Sequence, residues 1–382
     1  MKKRPSLAFV SHENPYDKRT SSGVPYYMMK ALQEHWGDVE AFYWVKNRLQ
    51  YKLLRLITHA SRILFKKDFD YGKSMFFSKL LGSYFSRKFS GKEFDVLFCT
   101  GSFPIAYLDT DIPIIIFTDS SFGLLVKYYP HRNYYFKKLL QSGRTIEQRG
   151  YDKARLIVFA SSWAADYARN NYVCGGKVEI LPRGSNIDSV PDISTIEYRL
   201  HNKNVCNLLF LGVDWQRKGG NIVVETFMTL KKRGMKVHLT ILGCKPKALY
   251  DGVTVIPFIN KNSSAGMREF DELFKKSHFM FVPTRAECFG IVFCEASAYG
   301  MPVISTDTGG VSEAVEEGIN GHLLPLSANR DEYADLIQSC FLNEARYKEL
   351  CYNSRMKFEE KLNWGSTIKS MKKLFENRTK ED

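Results

Sequence analysis

The stretch "HFMFVPTRAECFGIVFCEASAYGMPVIST", residues 278–306, reads as strand, loop, helix and strand. An apolar run too short for a helix, a polar loop opened by Pro283, a helical stretch starting at Gly290 and a second apolar run make one βαβ unit, and such units stack into parallel sheets. Two carboxylates break the apolar character: Glu287 in the loop and Glu295 on the second turn of the helix. On a single helix they would stand about 12 Å apart along the axis, which suits neither two ligands of one metal nor a glycosidase pair. Placed after a strand, Glu287 instead lies at the sheet edge where parallel sheets bind ligands. Between the glutamates, the free N–H groups of the helix's first turn favour an anion such as phosphate, and Gly290 lets it approach the backbone. A ligand carrying a hydroxyl-bearing group, phosphates and a ribose would meet these features in that order. A buried Glu at a helix start with a solvated Glu on its flank accounts for the spacing equally well when it is taken alone.

Outward from this unit, the 382 residues exceed the roughly 250–300 at which one hydrophobic core stops growing. The runs "LAFVS", "VEAFYWV", "DVLFCT", "IPIIIFT", "RLIVFAS" and "VEILP" read as strands of a first domain, residues 1–190. A polar pause follows, with 191–205 as the expected linker. "NLLFLG", "KVHLTILG", "VTVIP", "HFMFVP" and "MPVIST" form a second series within 206–360, with helices expected at 219–233 and Ser264–Lys276. Residues 361–382 read as a C-terminal helix expected to pack back on the first domain. The fold class is α/β: two doubly wound, Rossmann-like domains facing across a cleft.

At 44% hydrophobic and 25% charged, the composition is that of a globular protein. No apolar run approaches the roughly 18–20 residues that cross a bilayer, and the first residues have no signal-peptide core, so a cytoplasmic protein is expected. Eight cysteines without a CxxC pair or a nearby His read as reduced core residues, and no metal site is expected. The net charge of +14 is uneven, since residues 41–90 hold eleven Lys and Arg against two Asp. There "KNRLQYKLLRLITHASRILFKK", residues 46–67, interleaves basic and aliphatic residues at helical spacing. Such a helix suits an anionic membrane surface, which implies a peripheral protein at its inner face; a core-packing helix with a solvated basic face is the other reading. No recognition motif or aromatic platform accompanies the charge, so nucleic acid is not an expected partner.

The segment "PTRAECFGIVFCEASAYGMPVISTDTGGVSEAVEEGINGHLLP", residues 283–325, resembles the C-terminal signature of the family 4 retaining glycosyltransferases of the GT-B fold, with its Glu-x7-Glu pattern. The resemblance implies that Glu287 bonds hydroxyls of a donor sugar. It implies too that Phe289, Gly290 and Ile291 offer backbone N–H groups to a diphosphate and that Glu295 holds the ribose. In "VDWQRKGG", Arg217 and Lys218 open a helix, where cations are disfavoured unless an anion binds nearby. The family's Arg and Lys-Gly neutralise the donor diphosphate at this place, which carries over to Lys218 and Gly219. Val213 and Asp214 occupy the usual place of the family's Arg, with Arg217 closer to the lysine.

In "RTSSGVPYYMMKAL", Gly23 with Ser21 and Ser22 either caps a helix or lets backbone approach a ligand, as the family's glycine loop does. In "IIFTDSSF", Asp119 stands where many members carry a donor-contacting His, and reads as a site residue or as a helix cap. Arg183 and Asn186 in "ILPRGSNID" are expected at the hinge, and Glu313 reads as a helix-start carboxylate. The implied activity is retaining transfer of a hexose from a nucleoside diphosphate sugar to a hydroxyl of a saccharide or lipid-linked acceptor. It would need no metal or other cofactor, with Glu287, Lys218, Arg217 and Asp119 as catalytic residues. A GT-B-fold enzyme of the nucleotide-sugar 2-epimerase kind and a non-catalytic basic protein binding anionic lipid are the alternatives.

Overall fold

Among the residues that the computed structural model describes, 4–44, 48–67, 69–129, 135–175, 177–248 and 250–380, two all-parallel six-stranded sheets form, one in each of two units. In the first unit, β1 (Ser6–Ser11), β2 (Asp38–Tyr43), β3 (Val96–Cys99), β4 (Ile114–Thr118), β5 (Ala154–Phe159) and β6 (Val178–Ile180) lie in the order β2-β1-β3-β4-β5-β6. Every residue of β3 and β4 is buried, whereas the edge strand β2 is mostly exposed or half-buried. Helices on both faces of a parallel sheet demand this of central strands, which is why they read as continuous apolar runs rather than alternating ones.

In the second unit, β7 (Cys206–Leu211), β8 (Val237–Leu242), β9 (Val253–Ile256), β10 (Phe279–Val282), β11 (Val303–Thr306) and β12 (Gly321–Leu324) lie in the order β12-β11-β10-β7-β8-β9. The chain winds outward from β7 to β9, then restarts on the other side of β7 at β10. Connections from β7 and β10 therefore leave in opposite directions, and a crevice opens at their carboxyl ends. The two expected helices form as Gly220–Lys232 and Ser264–Lys276, the latter capped by the Ser263 hydroxyl, which accepts from Gly266 N at 3.1 Å. Strand β12 was not among the expected strands: four residues of "GHLL" are too few to show a period of their own.

The first unit comprises Met1–Leu181 together with Ile368–Asp382, and the second Pro182–Thr367. Within the first, the Phe375 ring lies 5.8 Å from that of Trp36, and Arg378 bonds Glu179 at 2.5 Å. No described helix is long and apolar enough to cross a membrane. All eight cysteines are free thiols, and all but Cys244 are buried.

Residues 191–205 contain a helix, Ser194–His201, inside the second unit. Its Arg199 is 1% exposed and donates to the carbonyls of Gly300 (2.9 Å), Tyr299 (3.1 Å) and Phe274 (3.2 Å). These oxygens belong to the C-terminal ends of the Ser264–Lys276 and Ile291–Ala298 helices, where carbonyls lack intrahelical partners and the helix dipole favours a cation. Arg199→Met strands them in the interior. We expect a loss of about 2–4 kcal/mol and a calorimetric midpoint for the second unit lower by roughly 4–16 °C. An unchanged midpoint would show that the guanidinium holds nothing together.

Candidate functional site

Lys218 and Glu287 meet at the β7/β10 crevice because two glycines make room for them. A Cβ on Gly212 would come within 2.7 Å of the Lys218 Cγ, so its absence lets the lysine stem lie against the end of β7. Gly219 adopts φ +79°, and a Cβ there would stand 2.1 Å from the Pro283 carbonyl oxygen. The loops after β7 and β10 thus touch backbone to backbone. Arg285 N donates to Arg217 O at 2.7 Å, and Thr284 Oγ1 to the same oxygen at 3.2 Å. Gly310 N, from the loop after β11, donates to Glu287 O at 3.1 Å.

Held in this way, Lys218 Nζ donates to Glu287 Oε2, and Arg217 Nη1 lies 3.3 Å from the same oxygen and 2.9 Å from Ala286 O. Arg217 Nε also faces Asp214 Oδ2 at 3.6 Å. The side chains of Lys218 and Glu287 are only 9% and 13% exposed. Burial alone would lift the Glu287 carboxyl, but the Lys218 ammonium and the Arg217 guanidinium outweigh it and hold it below its ordinary value. A depressed carboxyl contributes stability that is fully present at neutral pH and is lost as pH falls through the depressed value.

The helix that follows, Ile291–Ala298, starts from Gly290 at φ +88°, where a Cβ would strike the Phe293 ring at 2.4 Å. Neither this helix nor Gly220–Lys232, with Gly219 at its N-cap, has a side chain capping its first turn. By contrast Ser263, Asn329 and Asn343 each cap a helix of the same unit. At the switch point, then, two helix starts present backbone donors that no side chain claims, next to two cations. Phe289 is buried by its ring and Ile291 is half-buried, so what either offers a ligand is its backbone.

Glu295 is 2% exposed, and its Oε1 accepts from Lys261 Nζ at 2.8 Å. Here burial outweighs the lysine and leaves the carboxyl above its ordinary value. No local signal singles out Lys261, because a lysine in a polar strand-to-helix loop looks like any solvated residue.

In the first unit Gly23 has φ +85° and follows Ser21 (φ 45°) and Ser22 (φ 59°), three left-handed residues in a row. The N-cap of the Val24–His35 helix is Gly23 itself, and the Ser21 hydroxyl donates to Glu13 Oε2 at 2.6 Å. Left-handed non-glycine residues are costly and concentrate at functional sites. Asp119 is half-buried in the turn after β4. The cap of the next helix, Phe122–Tyr128, is Ser121, whose hydroxyl accepts from Leu124 N at 3.3 Å, so the helix-cap reading of Asp119 gives way. Arg183 and Asn186 have partners inside the second unit: the Cys294 thiol donates to Arg183 O at 3.4 Å, and Trp364 Nε1 to Asn186 Oδ1 at 2.9 Å. Glu313 lies in the first turn of the Val311–Ala314 helix. The second unit thus gathers Arg217, Lys218, Gly219, Glu287, Gly290 and Glu295 at one sheet edge. Gly23 and Asp119 lie beyond the carboxyl ends of β1 and β4 in the first unit.

Residues 206–343 match the family described as Glycosyl transferases group 1. An uncharacterized glycosyltransferase of Methanocaldococcus jannaschii is 30% identical over 186 residues, covering 46% of this chain and 50% of that protein. The chain therefore spans about half the length of this curated relative. Sucrose-phosphate synthase from Thermosynechococcus elongatus superposes with a TM-score of 0.71 at 16% identity, over 99% of this chain and 100% of that one. Anabaena HepE, solved in complex with UDP and glucose, gives 0.63 at 13% identity, over 97% and 99%.

Proposed function

We propose that the protein transfers a hexose, with retention, from a nucleoside diphosphate sugar to a hydroxyl of a saccharide or lipid-linked acceptor, starting from the match of residues 206–343 to the group 1 glycosyl transferases and from the GT-B fold. One observation carries the reading: Lys218 and Arg217 converge on Glu287 beside two glycine-capped helix starts. Breaking the bond from the sugar's anomeric carbon to the phosphate leaves negative charge on the diphosphate. Fixed cations and backbone donors stabilise such charge without reorganising, and Lys218, Arg217 and the first turn after Gly290 would supply them with no metal.

In this reading the incoming diphosphate competes with Glu287 for Lys218, and Glu287, kept ionised by its cations, accepts hydroxyls of the sugar. The departing phosphate takes the acceptor's proton on the same face of the ring, so no protein nucleophile is assigned. The UDP held by HepE supports a nucleotide donor here. A cytoplasmic location is part of the same proposal.

A panel of uridine, adenosine and guanosine diphosphate sugars, scored for binding and slow hydrolysis, tests this. Lys218→Ala is expected to weaken donor binding by about tenfold or more, and Glu287→Ala to lower turnover more than affinity. Wild-type affinity and turnover in both variants would sink the site, and an epimeric sugar formed without acceptor would favour the epimerase alternative.

The acceptor side of the proposal rests on the basic segment. Of residues 46–67, Lys46 and Asn47 lie outside the described residues, and a helix spans Arg48–Phe65. Leu53, Leu56, Ile57, Ile63 and Leu64 fall on one stripe of that helix, at i, i+3, i+4, i+10 and i+11. They face solvent, with Leu56 65% and Leu64 71% exposed, while Leu54 and Ser61 form its buried side. A core-packing helix would have the opposite arrangement. Met75, Phe76 and Leu80 on the next helix are exposed as well.

An exposed aliphatic stripe amid Lys52, Arg55 and Arg62 is complementary to an anionic lipid surface, which buries the stripe and attracts the charges. Flotation with vesicles of phosphatidylcholine, alone or with about a third phosphatidylglycerol, should show anionic vesicles recruiting the protein. Leu56→Glu with Leu64→Glu should cut recruitment at least about fivefold. Equal partition onto both vesicle types would remove the membrane from the proposal.

A further inference from the structure

Lys261 lies in the loop between β9 and the Ser264–Lys276 helix, at the ligand-binding edge of the second sheet. It is the residue that meets Glu295. Its ammonium stands 3.9 Å from the centroid of the buried Phe270 ring while bonding Glu295 Oε1 at 2.8 Å, so two contacts fix its direction. The lysine side chain is 19% exposed and the glutamate 2%. Among the described residues Glu295 Oε2 receives no hydrogen bond, and it is not sealed from solvent. One oxygen is therefore committed to the lysine and the other is open, on the helix whose first turn begins at Gly290.

We propose that Lys261 is a positioning residue, one that holds the Glu295 carboxylate so that its free oxygen accepts a hydroxyl of the nucleotide's ribose. The inference rests on the reading of Glu295 as the ribose contact, and it adds how that contact is kept usable. A buried glutamate with no cation would take up a proton, and a neutral carboxyl accepts a hydroxyl's hydrogen bond more weakly than a carboxylate does. The direction of the Glu295 shift agrees: burial pushes the carboxyl up and only Lys261 opposes it. The titratable neighbour on its own helix is the Cys294 thiol, which burial holds protonated and which Arg183 and Lys357 also face.

The test is titration calorimetry with uridine, adenosine and guanosine diphosphates, and with the 2′-deoxy form of whichever binds tightest, at about pH 6 and about pH 8. Wild type should bind at both and lose about tenfold for the deoxynucleotide. Lys261→Met should bind the parent nucleotide about tenfold more weakly at the higher pH and weaker still at the lower, because the carboxyl, already raised by burial, rises further without its cation. Its penalty for the deoxynucleotide should vanish.

Lys261→Arg, which keeps the charge, should stay within about threefold of wild type, keep the deoxynucleotide penalty, and carry the comparison if Lys261→Met does not fold. Lys261→Met with wild-type affinity at both pH values overturns the inference and leaves the glycosyltransferase reading standing. Loss of the penalty in Lys261→Arg overturns it too. Wild type binding none of the three nucleotides overturns both.

Discussion

The carboxylate of Glu287, half-buried in the loop after β10 between an ammonium and a guanidinium, constrains everything around it. A charge so poorly exposed persists only if it is paired, and the pair is sound only if both partners are held in place. Three loops do the holding. The one after β7 brings Lys218 over a strand end that Gly212 leaves bare, the one after β10 leans on Gly219, and the one after β11 anchors Glu287 through Gly310 N. The strand order places the starts of two helices beside this cluster, and their caps are glycines that leave first-turn donors for a ligand.

Glu287 and Glu295 end in opposite electrostatic states. Glu287 has two cations and is held below its ordinary range, whereas Glu295 has one and stays above it. In the proposed function the difference fits their tasks. Glu287 gives up one cation to an arriving diphosphate and remains ionised, while Glu295 accepts from a neutral diol and depends on Lys261 to stay a charged acceptor. Fixed charge at the sheet edge thus substitutes for water around a departing anion.

How much of this was legible in the sequence follows from how local each signal is. The buried strands show themselves as apolar runs, and the helix starts at Gly219 and Gly290 show as glycines after strands, since each signal lies within a few residues. The helix in 191–205 does not, because the stretch is polar and Arg199 finds its carbonyls 75 to 101 residues away. Lys261 is hidden for the same reason, being 34 residues from Glu295. At Asp119 the cap reading fails because two serines follow it before the helix starts, and the geometry makes the second, Ser121, the cap. For the basic helix the periodicity is the same whether its aliphatic stripe faces a core or the outside. Only the fold shows that Leu53, Leu56, Ile63 and Leu64 face outward.

The most direct measurement of the central claim, that the β7/β10 edge is a nucleoside diphosphate site, is amide hydrogen exchange with and without uridine, adenosine or guanosine diphosphate. The account predicts that the nucleotide that binds slows exchange at the two helix starts, 217–222 and 289–295, and in the loop at 258–263, more than anywhere else. Binding that leaves those amides unchanged, or protection confined to the first unit, would contradict it.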